Sequence, residues 1–402
     1  MHRRTFAYGL PAMALHLAAA RSVFAQSGAP AADFWPLLAD LWPRAQARGV
    51  ARTTFDTAFA GVTPDPSVAA LANRQPEFER PLQAYVEAAL SARRLAAGSS
   101  ALKQWNAPLA KIESEFGVPR EIIVAVWGME SDFGTDKGSQ YVVRSLATLA
   151  LARPADPSLR DELLAALDIL QKAAATRASL LGSWAGAMGN PQFLPSAYEK
   201  YALSFAGGRP PDIWNSVPDS LASIANFLKH FGWKRGLPWG VETIVPVGFD
   251  YATLKGDFSA WRAKEFRAAG GRVLPQAGEA DLFLPAGAGG PAFLLSDNYW
   301  VIKTYNVSDS YAMSVALLGE RLAGRPGVAA HWPQATSLDG KARADMQVLL
   351  ARLGFYHGKM DGKLGPEARE AIHTFQRAVG FTPADGYASP ALYARLRQAA
   401  QE

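Results

Sequence analysis

Glu130 is the residue of this 402-residue chain whose type and setting most suggest chemistry. It ends the run Val-Ala-Val-Trp-Gly-Met-Glu at residues 124–130, on a segment that Pro119 is well placed to open as a helix. On that helix Ile123, Val126, Trp127 and Glu130 fall at i, i+3, i+4 and i+7, so the acid continues an apolar face. A carboxyl group in poorly hydrated surroundings resists ionisation, and its pKa rises. A proton retained near neutral pH can be donated to a leaving oxygen, the task of a general acid. A buried glutamate satisfied by a local hydrogen bond or ion pair would leave the same pattern, so the helix alone does not decide. Asp132 lies two positions on and turns well away from Glu130 if the helix persists.

Two further stretches carry groups suited to a polar, uncharged ligand. In Leu180–Ala202, Gly182, Gly186, Gly189, Pro191 and Pro195 punctuate the chain. Glycines let backbone approach a ligand or take positive φ, and prolines stiffen turns. Ser183, Asn190 and Gln192 there offer neutral hydrogen-bonding groups among apolar neighbours, suited to hydroxyl and acetamido partners. A tight loop between helices would use the same composition. In Asp297–Leu318, Tyr299, Trp300, Tyr305 and Tyr311 surround Asn306. Aromatic faces with amides suit sugar rings, which present C–H faces and polar rims, although core aromatics with tethered hydroxyls are the commoner case.

The elements that must position these groups are mostly helical. Periodic apolar patterns run through residues 33–116, Leu159–Ala175, Ser220–Trp233 and Ser310–Gly324. Residues 237–296 differ, being rich in Val, Gly and Pro with short apolar runs, and are expected to form a small β insertion. A Gly/Pro-marked linker at 324–340 leads to a C-terminal unit at 341–398. That unit repeats itself: Asp-Gly-Lys-Leu-Gly-Pro at Asp361 is echoed by Asp-Gly-Tyr-Ala-Ser-Pro at Asp385, each opening a helix. Three short helices around Leu349, Leu350, Leu353, Phe355, Ile372, Phe375 and Leu392 are expected, with no cluster of acids or histidines. Binding suits such a unit better than catalysis.

Bulk properties narrow the setting. Hydrophobic residues make up 49% and charged residues 19%, enough apolar material for a sizeable core. A net charge of +5 without dense Lys/Arg runs gives no footprint for nucleic acid. Residues 1–25 combine Arg3 and Arg4, an apolar stretch and a small-residue exit at Ala25, which reads as a cleavable export signal. The paired arginines before Thr5 and Phe6 resemble a twin-arginine signal. There is no cysteine, so no disulfide and no lipid-attachment site at the signal junction is expected. No later stretch approaches the roughly 18–20 apolar residues of a membrane span. A periplasmic protein without a transmembrane segment or lipid anchor is expected.

Taken together, "WGMESDFG", "GSWAGAMGNPQFLPSAY", "DIWNSVPDSLASIANFLKHFGW" and "YWVIKTYNVSDSYAMSV" resemble the lytic murein transglycosylase B family, whose members cleave the glycan strands of peptidoglycan. The resemblance spans about Phe34 to Leu322, within a catalytic domain placed at 33–323; the tail from about Asp345 to Leu396 resembles the type 1 peptidoglycan-binding domain. The resemblance implies a mainly α fold: a lysozyme-like core, a helical N-terminal region, a small β insertion and a C-terminal three-helix peptidoglycan-binding domain. It implies that Glu130 is the single catalytic acid/base, that Ser183 hydrogen-bonds near it, that Gln192 contacts glycan, and that Tyr305, Asn306 and Tyr311 line the groove. Asn190 joins the substrate-binding set through the neutral groups of its loop.

Ordinary glycosidases use two carboxylates roughly 5–10 Å apart, and no second acid in the matched segments has a clear claim. The resemblance therefore implies cleavage between N-acetylmuramic acid and N-acetylglucosamine without water, giving 1,6-anhydromuramyl ends. The rival readings are a lysozyme-type muramidase that hydrolyses the same bond and a non-catalytic wall-binding protein. Some family members carry a calcium loop after the glutamine segment. Here Ser204–Trp214 offers Asp212 alone, with Arg209, Pro210 and Pro211 among the candidate positions. Calcium prefers 6–8 oxygen ligands, so no metal and no cofactor are expected.

Overall fold

The structure, a computed structural model, describes residues 34–71, 81–333 and 338–401. The expected signal segment, residues 1–25, lies outside the described residues, as does part of the expected linker, 334–337. Among the described residues no helix is long and apolar enough to cross a membrane. The fold is mainly helical, and the described residues divide into two compact units, one of 34–71 and 92–230, the other of 81–91 and 231–401.

The first unit is almost entirely helical. Its centre is Arg120–Ser131, packed by Ala92–Gln104, Asn106–Phe116 and Val217–His230. Val142–Ala152 and Pro157–Gln171 form a second layer, against which Phe34–Ala47, Arg52–Phe59, Pro66–Leu71 and Pro195–Tyr201 pack. Helix starts follow local chemistry. Pro157 and Pro195 open their helices where a missing N–H is harmless, and Asp156 Oδ1 accepts from Ser158 N at 3.1 Å. The only strands here are β1 (Gln140–Tyr141) and β2 (Leu181–Gly182), an antiparallel pair in the register Gln140↔Gly182, Tyr141↔Leu181.

In the second unit, residues 237–296 contain a four-stranded antiparallel sheet of β3 (Gly240–Ile244), β4 (Arg267–Ala268), β5 (Asp281–Phe283) and β6 (Ala292–Leu295), ordered β4-β3-β6-β5. A helix, Phe258–Ala263, interrupts it and was not expected from the sequence. Alternation along the strands decides the faces. Val241, Leu282, Leu284 and Leu294 join Phe258 and Trp261 in one core, which turns Asp281 and Phe283 to the opposite face.

The three C-terminal helices are Gly340–Arg352, Pro366–Ala378 and Pro390–Ala399. Leu350, Ile372, Phe375 and Leu392 are buried in their core as expected, with Leu349, Leu353 and Phe355 half-buried at its edge. Met346, Tyr356 and Leu396 complete it. The Asp-Gly echo has a structural cause that sequence reading missed. Gln347 and Gln376, 0% and 1% exposed, each hold one Asp-Gly turn. Gly362 N donates to Gln347 Oε1 at 2.7 Å and Gly386 N to Gln376 Oε1 at 2.8 Å. Asp361 and Asp385 in turn accept the backbone N–H two residues on, at 2.9 and 3.0 Å.

The C-terminal helices do not hang on a free linker. Ala329 N and Ala330 N donate to the Glu242 carboxylate at 2.9 and 2.8 Å, pinning the expected linker to β3. Arg369 Nη1 reaches Asp309 Oδ2 at 2.7 Å, and Ala288 N donates to Asp385 Oδ2 at 2.9 Å. Charged and backbone groups that could not be paired from sequence alone thus join the two segments into one unit.

Replacing Gln376 by alanine would strip two partners from the second Asp-Gly turn. The expected loss is about 1–3 kcal/mol, read as a lowered urea midpoint with an unchanged slope.

Candidate active site

Residues Ile122 to Gly128 of the helix Arg120–Ser131 are all buried. The helix runs through the core with every side covered, so its apolar character is not the single stripe expected from spacing. It emerges at its two ends, with Arg120 and Glu121 half-buried at the start and Met129 and Glu130 half-buried in the last turn. The helix stops because Asp132, Phe133 and Gly134 take φ of 49°, 59° and 84°, all left-handed. This reversal folds the Phe133 ring back onto Trp127, edge-on at 5.7 Å.

The glycine-rich loop is bolted to this end of the helix. Trp127 Nε1 donates to Asn190 Oδ1 at 3.0 Å, and Ser131 Oγ donates to Asn190 O at 2.8 Å. Asn190 Nδ2 donates to Ile213 O at 3.0 Å and Asn190 N to the same oxygen at 2.9 Å. Asn190 is 2% exposed, and its amide is engaged by Trp127 and Ile213. Pairing of β1 with β2 ties the segment after Glu130 to the segment before Ser183. Gly138, at φ 76°, is packed so closely there that a Cβ would lie 2.2 Å from Gly182 C.

Ser183 is half-buried, and its Oγ accepts from Ala185 N at 3.3 Å and Ala187 N at 3.1 Å. Both bonds use oxygen lone pairs, which leaves the hydroxyl proton to be donated. Gln192, also half-buried, sits at φ 50°; its Nε2 donates to Gly189 O at 2.8 Å and Lys137 O at 3.2 Å. The turn therefore orients the Gln192 carbonyl oxygen through its amide nitrogen. The structure thus ties the end of the helix that carries Glu130 to the loop that carries Ser183, Asn190 and Gln192.

Other carboxylates of this unit are committed elsewhere. Arg93 donates to Asp132 at 2.7 Å, and this bond, outweighing partial burial, holds the Asp132 carboxyl below its usual range. Burial pushes Glu162 up, but both its oxygens accept from Ser196, at 2.9 and 2.6 Å, where they cap the helix Pro195–Tyr201. In the stretch compared with calcium loops, Asp212 accepts from Trp214 N and Asn215 N at 3.1 and 2.9 Å. Asp219, 1% exposed, accepts from Phe205 N and Asp212 N and pairs with Arg209 at 2.8 Å. A guanidinium fills the cationic role beside that carboxylate. Among the described residues no group of three or more His, Cys, Asp or Glu side chains could hold a metal ion.

Tyr305, Asn306 and Tyr311 belong to the second unit. Tyr305 and Tyr311, 6% and 3% exposed, stack at 6.4 Å with 17° between their planes. Asn306 is half-buried and ends the helix Asp297–Tyr305, its Oδ1 accepting from Ser308 N at 3.1 Å. The two tyrosines are therefore packed against each other more than displayed as open platforms, and Tyr299 is wholly buried. Next to them Asp309 accepts from Tyr299 Oη at 2.9 Å, Lys303 Nζ at 2.7 Å and Arg369 Nη1 at 2.7 Å. Burial alone would raise the Asp309 pKa. The two cations outweigh it and hold the carboxyl well below the usual range.

Residues 33–320 match the family described as Transglycosylase SLT domain, and residues 339–396 match a peptidoglycan binding domain. The chain belongs to the transglycosylase SLT domain family. It is 32% identical over 232 residues to Membrane-bound lytic murein transglycosylase B of Escherichia coli (strain K12), a match covering 55% of this chain and 61% of that relative. Its fold is similar to that of SltB3 from Pseudomonas aeruginosa, solved in complex with NAG-anhNAM-pentapeptide, at 41% identity and a TM-score of 0.83, covering 90% of this chain and 99% of that one. Soluble lytic transglycosylase SltB1 from the same organism is 28% identical, with a TM-score of 0.64, covering 72% of this chain and 98% of that one.

In this transglycosylase-family chain, sequence reading missed Trp127, Ser131 and Gly138 as positioning groups. A tryptophan and a serine one turn apart near a helix end were the available signal, but their shared partner lies some sixty residues away. Gly138→Ala combines steric overlap, about 1–3 kcal/mol, with a strained φ. It is expected to retain helical circular dichroism at a lowered melting temperature and to lose activity on sacculi. Asp309→Asn would leave Lys303 and Arg369 buried without their counter-charge, a loss of about 3–5 kcal/mol. Because the folded pKa is depressed, this stabilisation is complete above about pH 4 and is lost as pH falls through the folded value. Acid titration of both proteins is expected to show their stability difference shrinking below about pH 4.

Proposed function

We propose that the protein is a lytic transglycosylase acting on the β-1,4 bond between N-acetylmuramic acid and N-acetylglucosamine. The observation that carries this reading is a half-buried carboxylate, Glu130, at the end of a buried helix, while its half-buried neighbour Asp132 is paired with Arg93. Retaining and inverting glycosidases need a second carboxylate as nucleophile or base. Where none is available, the substrate must supply the second group.

Glu130 would protonate the glycosidic oxygen as the bond to C1 breaks. The 2-acetamido group would support the positive charge developing at C1. Glu130, now a carboxylate, would take the proton of the muramyl 6-hydroxyl as that oxygen closes on C1. The leaving chain departs with a free 4-hydroxyl, the muramyl end becomes a 1,6-anhydro ring, and no water is consumed. The anhydro sugar bound by SltB3, a 41% identical relative, supports this outcome over hydrolysis. Ser183, with its proton free to donate, is suited to hold the Glu130 carboxylate or the acetamido oxygen. Gln192 suits a glycan hydroxyl or amide. Tyr305, Asn306 and Tyr311 would supply further glycan contacts. Residues 1–25 would direct export to the periplasm, where this polymer lies.

Incubation of purified sacculi with the protein is expected to release muropeptides ending in 1,6-anhydromuramic acid, lighter by one water than hydrolysed ends. Glu130→Gln is expected to reduce that release by about 10²–10⁴-fold. Reducing ends in the mass spectrum would favour a muramidase. Retained activity in the variant would remove Glu130 from its role.

A further inference from the structure

Asp281 is a carboxylate that the reaction does not use. It begins β5, the edge strand of the sheet, on the face turned away from the insertion core. Its side chain lines a cavity of about 820 Å³ within the second unit. Both Asp-Gly turns of the C-terminal helices, at Asp361–Gly362 and Asp385–Gly386, line the same cavity, as do Phe283, Trp300 and Tyr387. The repeated turns and the sheet face thus enclose one space of mixed apolar and charged character, large enough for a few amino-acid residues.

Asp281 makes no side-chain hydrogen bond or ion pair among the described residues. The nearby cations are committed to other groups. Lys255 pairs with Glu370 at 3.0 Å, and Arg369 pairs with Asp309 at 2.7 Å while lying 4.8 Å over the Phe283 ring. Glu279 and Asp297 add like charge. Burial is the main cause that pushes the Asp281 carboxyl up to about 6, with Lys255 and Arg369 opposing it. At neutral pH it is therefore mostly an anion, half-buried in the cavity wall, which a cationic ligand group would pair.

We propose that this cavity is a binding site for the peptide stem of peptidoglycan, with Asp281 receiving the side-chain ammonium of the stem's diamino residue. A neutral glycan would leave the anion uncompensated. A zwitterionic peptide fits a wall that carries acids and bases beside aromatic rings. The inference rests on peptidoglycan being the substrate, and it makes the C-terminal helices and the β insertion joint readers of stem composition.

The test measures binding of the tripeptide L-Ala-γ-D-Glu-diaminopimelate to the full chain by calorimetry at neutral pH, alongside the same peptide acetylated on its side-chain amine. The free peptide is expected to bind about tenfold more tightly than the acetylated one, the scale of one charge-assisted contact. Asp281→Asn is expected to remove that difference while leaving cleavage of peptide-free glycan unchanged. Affinity of the wild type for the free peptide is expected to rise with pH through about 6, as the carboxyl ionises, and the variant is expected to lack this rise. Equal affinity for the two peptides, or absence of binding by a protein that still cleaves sacculi, overturns the site. Equal Asp281 dependence for a peptide-free tetrasaccharide overturns the choice of ligand. Failure to cleave sacculi at all would instead overturn the catalytic reading, which the peptide measurement does not depend on.

Discussion

The carboxamide of Asn190 accepts from Trp127, donates to Ile213, and shares its backbone oxygen with Ser131. Within its unit, this buried knot anchors the helix end that carries Glu130. A helix end has unpaired carbonyls and tends to fray. Here the end is closed by three left-handed residues and tied to a second loop through the side chains of Trp127 and Ser131. An unsatisfied amide at 2% exposure would cost more than the bonds it makes are worth, so the knot is either complete or the region does not form. Ser183 and Gln192 inherit their positions from it, because they sit on either side of Asn190 in the same stiff loop.

The same economy commits several carboxylates of this unit to the scaffold. Asp132 and Asp219 pair with guanidinium groups, Glu162 holds Ser196, and Asp212 accepts backbone N–H groups of its own turn. These contacts hold the segments around Glu130 in place. Arg209 pairs with the buried Asp219 at 2.8 Å. The second unit is organised around Asp309, whose two cations come from different parts of the chain. One of them, Arg369, lies on a C-terminal helix. The peptidoglycan-binding helices are therefore part of the scaffold around residues 305–311, which the punctuation of the linker did not suggest.

Much of this was legible before any coordinates. The helical periodicities, the β character of 237–296, the Asp-Gly echo and the oddity of Glu130 all depend on neighbours in sequence, where spacing translates directly into geometry. Sequence also fixed attention on Asn190 as a neutral polar residue, but it could not tell a ligand contact from a buried clamp. That distinction depends on whether Trp127 and Ile213 reach it, and no periodicity encodes a contact across sixty residues. Tyr299 was grouped with the groove aromatics for the same reason, since composition does not report burial.

What the chain's order of residues determined by itself was the set of local elements and the chemistry each could offer: an acid on an apolar helix, a stiff loop of neutral amides, paired turns opening helices. Only the tertiary structure decided which carboxylates are neutralised, which polar groups are consumed by the fold, and which remain. Asp132 and Asp281 look equally ordinary in sequence. One is held by Arg93, and the other faces a cavity with its nearby cations engaged elsewhere. The difference is electrostatic and long-range, and it exists only once distant segments share one low-dielectric neighbourhood.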